Sequence, residues 1–307
     1  MENLDDIFKT QSQRGYKRGP DEPFDKDSFA ARKKQERDAV YALVDETVSR
    51  IAADGGALQT YLDVQSRFDR YSATNAILIS AQMPGATKLA GFDAWRDNGV
   101  HIRRGAEAIT ILEPGKEYTR EEDGSTGVFY NPKKVFDISQ TTSRQQAAAR
   151  QQPSPEPTYD QRTLLKALIS RAPCYFVVSD KLPENINAMY QQKEDTILVR
   201  PGLDANSYFR GVSQELARAW MARSGTEFAN PDFTAYCVSY MVCKRHGVAV
   251  DAFRFDRLPE AYKEMDTQAL RDDLGKMRDI SGDMISDMQR SFELQERAQK
   301  SRDDGAR

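Results

Sequence analysis

The sequence predicts an α+β fold: N-terminal helices followed by a small antiparallel sheet, then a second α+β domain ending in a long helix. Three observations predict it. Apolar residues recur at helical spacing up to about residue 97. Between residues 100 and 138 the period shortens to alternation around a hairpin signal, and after a Gln-, Ala- and Pro-rich stretch helical and strand patterns resume. A chain of 307 residues is long enough for two such cores.

Residues 1–27 are polar and carry Gly15, Gly19, Pro20 and Pro23, which predicts a disordered tail. Val40, Leu43, Val44, Val48 and Ile51 mark the first helix, and Gly55-Gly56 is expected to end it. Leu58, Tyr61, Leu62 and Phe68 give the apolar side of a second helix. Ser72 suits the cap of a third, running through Ala76 to Ile79 and stopping before Pro84. Phe92–Asp97 reads as a short helix closed by Asn98-Gly99, with Phe92 expected in the core.

Val100 and Ile102 then alternate with polar residues, Arg103-Arg104-Gly105 reads as a turn, and Ala108–Leu112 as a strand. Asp123–Gly127 is a hairpin signal between Glu117–Glu122 and Val128–Tyr130, and Val135–Ile138 is a further strand. These elements make a first domain over residues 28–139, and residues 140–158 a linker.

The second domain, residues 159–292, opens with a helix carrying Leu164, Leu165, Leu168 and Ile169. A strand over Tyr175–Val178 and a hairpin of Ala188–Tyr190 with Thr196–Val199 follow. Helices are predicted over 205–223, 232–245 and about 259–300, the last with Leu270, Leu274, Met277, Ile280, Met284, Ile285 and Met288 in a 3–4 period. Residues 293–307 are nearly all polar and read as a frayed tail.

Composition narrows the function classes. The formal net charge is −3, so there is no whole-protein footprint for nucleic acid, and any such binding must be local. No apolar run approaches the roughly 20 residues that span a bilayer. The acidic start, Met1-Glu2-Asn3-Leu4-Asp5-Asp6, lacks the basic-then-apolar order of a signal peptide. A cytoplasmic protein with no membrane partner is expected. Cys174, Cys237 and Cys243 form no CxxC pair or even framework, and read as buried free thiols.

The most informative stretch is residues 211–221, GVSQELARAWM. A zinc-binding helix of the His-Glu-x-x-His type puts two histidines at i and i+4, about 40° apart on one face, with the Glu as proton acceptor. Here Gln214 and Arg218 stand at the histidine positions and only Glu215 is kept. Gln is a poor zinc ligand, and Arg is a permanent cation with no lone pair to offer. Arg218 follows Glu215 by three residues, the favourable order for a helical ion pair, and is expected to neutralise it. His246 sits at a helix end beside Gly247, where a polar or cationic side chain suits the C-terminal dipole. His101 lies in the first domain.

Further phrases carry a resemblance. Tyr71-Ser72-Ala73-Thr74-Asn75-Ala76-Ile77-Leu78, Gly91-Phe92-Asp93-Ala94-Trp95, Gly99-Val100-His101-Ile102-Arg103-Arg104-Gly105 and Ile111-Leu112-Glu113-Pro114 occur in this order. In them residues 61–139 resemble the N-terminal, single-stranded-DNA-binding domain of ArdC-type antirestriction proteins. The second domain is similar to the zincin-like metallopeptidase domain fused to it in that family, and the whole resembles LtrC-like proteins of conjugative and other mobile elements. The resemblance spans about residues 30–290 and implies handling of DNA that enters a cell single-stranded. Active members carry zinc on His-Glu-Leu-x-His and on a Glu of the next helix. That last position falls on or near Tyr236 here, so Gln214, Arg218 and Tyr236 replace all three ligands and only vestiges of the catalytic site remain. No cofactor is expected.

The DNA-binding candidates combine cations with aromatic faces. Residues 67–104 hold Arg67, Arg70, Lys88, Arg96, Arg103 and Arg104 against Asp69, Asp93 and Asp97, an excess of three positive charges. Phe68, Tyr71, Phe92 and Trp95 are interleaved with them, and Tyr71, Trp95 and Asn75 join the cations as candidates. The expectation is a single-stranded-DNA-binding protein with a catalytically inactive second domain serving as scaffold or surface for a protein partner. The alternatives are a metallopeptidase with an unorthodox metal site, or an interaction scaffold without DNA binding.

Overall fold

The computed structural model describes residues 25–119, 125–142 and 159–305. The predicted tail up to residue 24, the tip of the predicted hairpin turn and most of the predicted linker lie outside them. The chain divides into two units at Ala39/Val40, inside the first helix, α1 (Lys26–Ala53). Up to Ala39 the helix is almost wholly exposed, with a Lys33–Glu36 ion pair at 2.8 Å. From Val40 onward the chain is one unit with one continuous apolar core.

Within that unit Val40, Val44, Val48 and Ile51 line the buried side of α1. Gly55-Gly56 does not end α1, as expected, but starts α2 (Gly55–Arg67): Asp54 caps it, accepting from the Gly56 N–H at 2.9 Å. Gly55 is required for space. A Cβ there would stand 1.6 Å from the Phe255 carbonyl oxygen. Ser72 caps α3 (Ala73–Gln82) as predicted.

A three-stranded antiparallel sheet follows, ordered β1-β3-β2: β1 is Leu89–Ala90, β2 Ile109–Thr119 and β3 Thr126–Asp137. The separate strands predicted here merge into two long ones. Pro114 and Pro132 interrupt the apolar pattern but not the pairing, because a register shift between Pro114 and Glu117 absorbs the irregularity. The expected Val100–Ile102 alternation yields only a bridge, Ile102 to Thr141. Between β1 and β2, α4 (Phe92–Asp97) turns Trp95 inward and leaves Phe92 exposed, which overturns the expectation of a core Phe92.

The second half opens with α5 (Gln161–Ser170) and a mixed sheet ordered β4-β6-β5. In it β4 (Tyr175–Val178) runs parallel to β6 (Thr196–Val199), and β5 (Ala188–Gln191) antiparallel to it. Then come α6 (Ala205–Ser224), α7 (Pro231–Arg245), the short α8 (Glu260–Glu264) and α9 (Thr267–Gly305). The single terminal helix predicted from residue 259 is thus broken at Met265-Asp266. Cys237 and Cys243 are buried free thiols and Cys174 is half-buried. His246 caps α7, but not as a cation. Its Nε2 is buried without a hydrogen-bond partner, and burial, aided by Arg245, pushes its pKa down to about 4.

Helices from both halves share the core. Tyr61 on α2 donates its hydroxyl to the Leu274 carbonyl on α9 at 3.3 Å. Tyr240 on α7 donates to Asp63 on α2 at 2.7 Å.

One side chain ties α3 to the sheet. Asn75 is buried and brackets Leu112 of β2, donating to its carbonyl and accepting from its N–H, each at 2.8 Å. Asn75→Leu would leave both buried backbone groups unmet. A loss of about 2–6 kcal/mol is expected in urea unfolding, since each of the two groups costs about 1–3 kcal/mol. A loss under about 0.5 kcal/mol would refute the bracing role.

Candidate functional site

Residues 211–221 lie on α6, which Asp204 starts by accepting from the Asn206 and Ser207 N–H groups at 3.0 and 3.1 Å. Gly225, in the left-handed region at φ 64°, ends it. Gly211 lets the helix close on β5: a Cβ there would stand 3.2 Å from Asn187 Cβ. Ser213 and Ser239 hydroxyls share a hydrogen bond of 2.7 Å across the α6–α7 seam.

This packing places Glu215 against β5. Its carboxylate is buried and accepts from the Tyr190 N–H at 2.9 Å and from Arg218 Nε at 3.1 Å. Arg218 Nη1 also pairs with Asp232, in the first turn of α7. One guanidinium thus joins an acid of its own helix to an acid of the next. Burial raises the Glu215 pKa; the Tyr190 N–H and Arg218 oppose that rise without cancelling it. Gln214 is half-buried. Tyr236 lies in an aromatic cluster, 4.9 Å from Phe253 and 5.6 Å from Phe255 between ring centroids, and its hydroxyl accepts from the Arg254 N–H.

These residues do not fit a divalent metal ion. The charge that would hold a metal is already met by Arg218, and Tyr236 is turned into an aromatic core. Among the described residues no group of three His, Cys, Asp or Glu side chains is placed to bind one. Sequence reasoning paired Glu215 with Arg218 but missed Tyr190 and Asp232. The helix-start signal Asn230-Pro231-Asp232 was there to be read.

The candidates of the first half divide into internal braces and surface cations. The Arg67 guanidinium is spent on backbone: Nε donates to the Ala86 carbonyl at 3.1 Å and Nη2 to that of Pro84. Asn75 is a brace, as above. Trp95 is 5% exposed and donates Nε1 to the Phe136 carbonyl at 2.9 Å. Tyr71 is half-buried, edge-on to Phe68 at 5.4 Å, and burial raises its phenol pKa while nearby Lys133 lowers it.

Arg70, Lys88, Arg96, Arg103 and Arg104 are exposed. The backbone carbonyls of Arg70 and Tyr71 accept from the guanidinium of Arg278 on α9, at 3.4 and 3.1 Å. Lys88 is fixed by Asp137, a wholly buried carboxylate that accepts from the Thr87, Lys88 and Ser139 N–H groups at 2.7, 2.8 and 2.9 Å. Arg96 pairs with Asp93 at 3.0 Å and with Asp97 at 3.3 Å. Arg103 Nε donates to the Thr141 carbonyl at 3.0 Å, and Gly105, at φ 83°, turns the chain beside Arg104. Arg278 was missed because its partners are distant backbone groups that leave no local pattern; Asp137 has a local capping signal in Gln140 three residues on, but its Thr87 and Lys88 partners are distant.

No family model matches the sequence. No curated protein matches it either. The architecture itself is that of a known class, the ArdC-type α+β fold. The chain is similar to two crystal structures of the antirestriction ArdC protein from the R388 plasmid. The metal-free form gives a TM-score of 0.52 at 15% identity, covering 81% of this chain and 97% of that one. The Mn(II)-bound form gives 0.53 at 15% identity, covering 82% and 97%.

Breaking the Arg218 clasp strands a buried carboxylate. Exposed pairs contribute about 0–1 kcal/mol, while removing one partner of a fully buried pair costs about 3–5. Arg218 is 28% exposed and Glu215 11%, so Arg218→Met is expected to cost about 2 kcal/mol. Glu215→Gln/Arg218→Met should cost less than the two single changes together. Additive losses in a urea-unfolding double-mutant cycle would contradict the coupling.

Proposed function

We propose that this chain is an ArdC-like antirestriction protein that binds single-stranded DNA, with its zincin-like half kept as a pseudoenzyme. The carrying observation is the ArdC-type fold, matched along 97% of the ArdC chain. Motif phrases between Tyr71 and Pro114 agree with it. The replacement of metal-ligand side chains by the Glu215–Arg218–Asp232 clasp supports a non-catalytic second half. No helix among the described residues is long and apolar enough to cross a membrane. We read the chain as acting in the cytoplasm on mobile-element DNA, with the zincin-like half as a scaffold open to a protein partner.

Lys88 and Arg104 are the cations best suited to phosphate. Each is exposed, and each is presented by a stretch whose backbone is held internally, Lys88 by Asp137 and the Arg103–Ala106 turn by the Gln140 carbonyl. Such contacts release counterions from the strand, so affinity falls with salt. In salt titrations with a single-stranded oligonucleotide, Lys88→Ala and Arg104→Ala should each lower the slope of log affinity against log salt by about 0.7. A double variant with wild-type affinity and slope would refute the assignment.

A further inference from the structure

Bases of a single strand stack on exposed aromatic faces. The candidate rings Tyr71 and Trp95 are poorly placed: Tyr71 is half-buried against Phe68 and Trp95 is 5% exposed. Exposed rings occur instead at Phe92 (55%), Phe129 (45%) and Tyr130 (46%). Phe92 opens α4, and Arg96 follows one turn later on the same side, while Trp95 points inward. An exposed ring and an exposed guanidinium thus lie side by side.

The sheet continues this surface. A Cβ on Gly91, next to Phe92, would stand 4.0 Å from Lys133 Cε on β3. Alternation along β3 places Phe129 on the same face as Lys133, about 13 Å away at about 3.3 Å per residue. Tyr130 falls on the opposite face. The ion pairs that hold these cations, Lys133–Glu113 and Arg96–Asp93, are solvent-exposed and are cheaply exchanged for phosphate.

We infer that Phe92 and Phe129 are base-stacking platforms for single-stranded nucleic acid, with Arg96 and Lys133 beside them as phosphate contacts. This rests on the DNA-binding reading above and names the face that carries it. Rings alternating with cations match a polymer of flat bases on a charged backbone better than they match the contiguous apolar centre of a protein interface.

The test compares a labelled oligo-dT with an abasic oligomer of the same length, by fluorescence anisotropy. Phe92→Ala and Phe129→Ala should each weaken oligo-dT binding about tenfold. Affinity for the abasic strand and the salt slope should not change. Phe92→Trp should retain binding, and Tyr130→Ala, on the other face, should match the wild type. The inference is overturned if the two Ala variants bind oligo-dT as the wild type does, the outcome expected of a protein-docking face, or if they lose equally on the abasic strand. The DNA-binding reading survives either result. A wild-type protein that binds neither strand at low salt sinks that reading and this inference with it.

Discussion

A buried carboxylate needs a positive partner, and the second half of this protein is arranged around one such need. Glu215 sits inside α6 against the edge of the mixed sheet, with the Tyr190 N–H on one oxygen and Arg218 on the other. Desolvating a charge costs several kcal/mol unless a cation and hydrogen bonds answer it. Here the answering groups come from β5 and α6, while Asp232 of α7 pairs with the same guanidinium from its other side. Helix spacing, the close approach at Gly211 and the seryl pair between α6 and α7 all serve to bring these groups within reach. A metal ion could meet the same electrostatic need in a related site. An arginine meets it here, its guanidinium seated against the buried carboxylate.

The first half uses the same logic with backbone groups in place of ions. Asn75 satisfies both polar groups of Leu112, and Asp137 gathers three N–H groups at the crossing of β1, β3 and the 3-10 turn that follows. Arg67 and Arg278 spend their guanidinium groups on carbonyls. Fixing the frame internally leaves Lys88, Arg96 and Arg104 on a surface of set shape. Cations held in this way lose less side-chain and loop entropy on meeting a ligand than cations on an unbraced loop would.

Periodicity made most helices legible, because each buries one apolar side: α2, α5, α6 and the stripe of α9 follow their apolar residues closely, whereas α7 is buried all round from Cys237 to Cys243. The strand pair around residues 192–195 was legible for the same reason. Other features depend on tertiary partners that leave no local trace. Gly55-Gly56 reads as a stop signal, yet the Asp54 cap makes it a start and the approach of Phe255 leaves no room for a side chain at Gly55. Phe92 looks like core because it is aromatic, but Trp95 three residues later is the ring that finds a backbone acceptor inside. The i, i+3 spacing exposed the Glu215–Arg218 half of the clasp. Its Tyr190 and Asp232 half comes from distant elements and emerged only from the fold.

Metal response tests the central claim most directly, that Arg218 is the resident cation of the Glu215 site. The measurement is the thermal midpoint of the purified protein in EDTA and across a titration of Mn(II) or Zn(II). A specific site at a hundredfold excess over its Kd would stabilise the fold by about 2.7 kcal/mol, a rise of several degrees for a chain of this size. With Arg218 in place the midpoint should be the same in EDTA and in metal. A saturable rise that Glu215→Gln abolishes would contradict the claim.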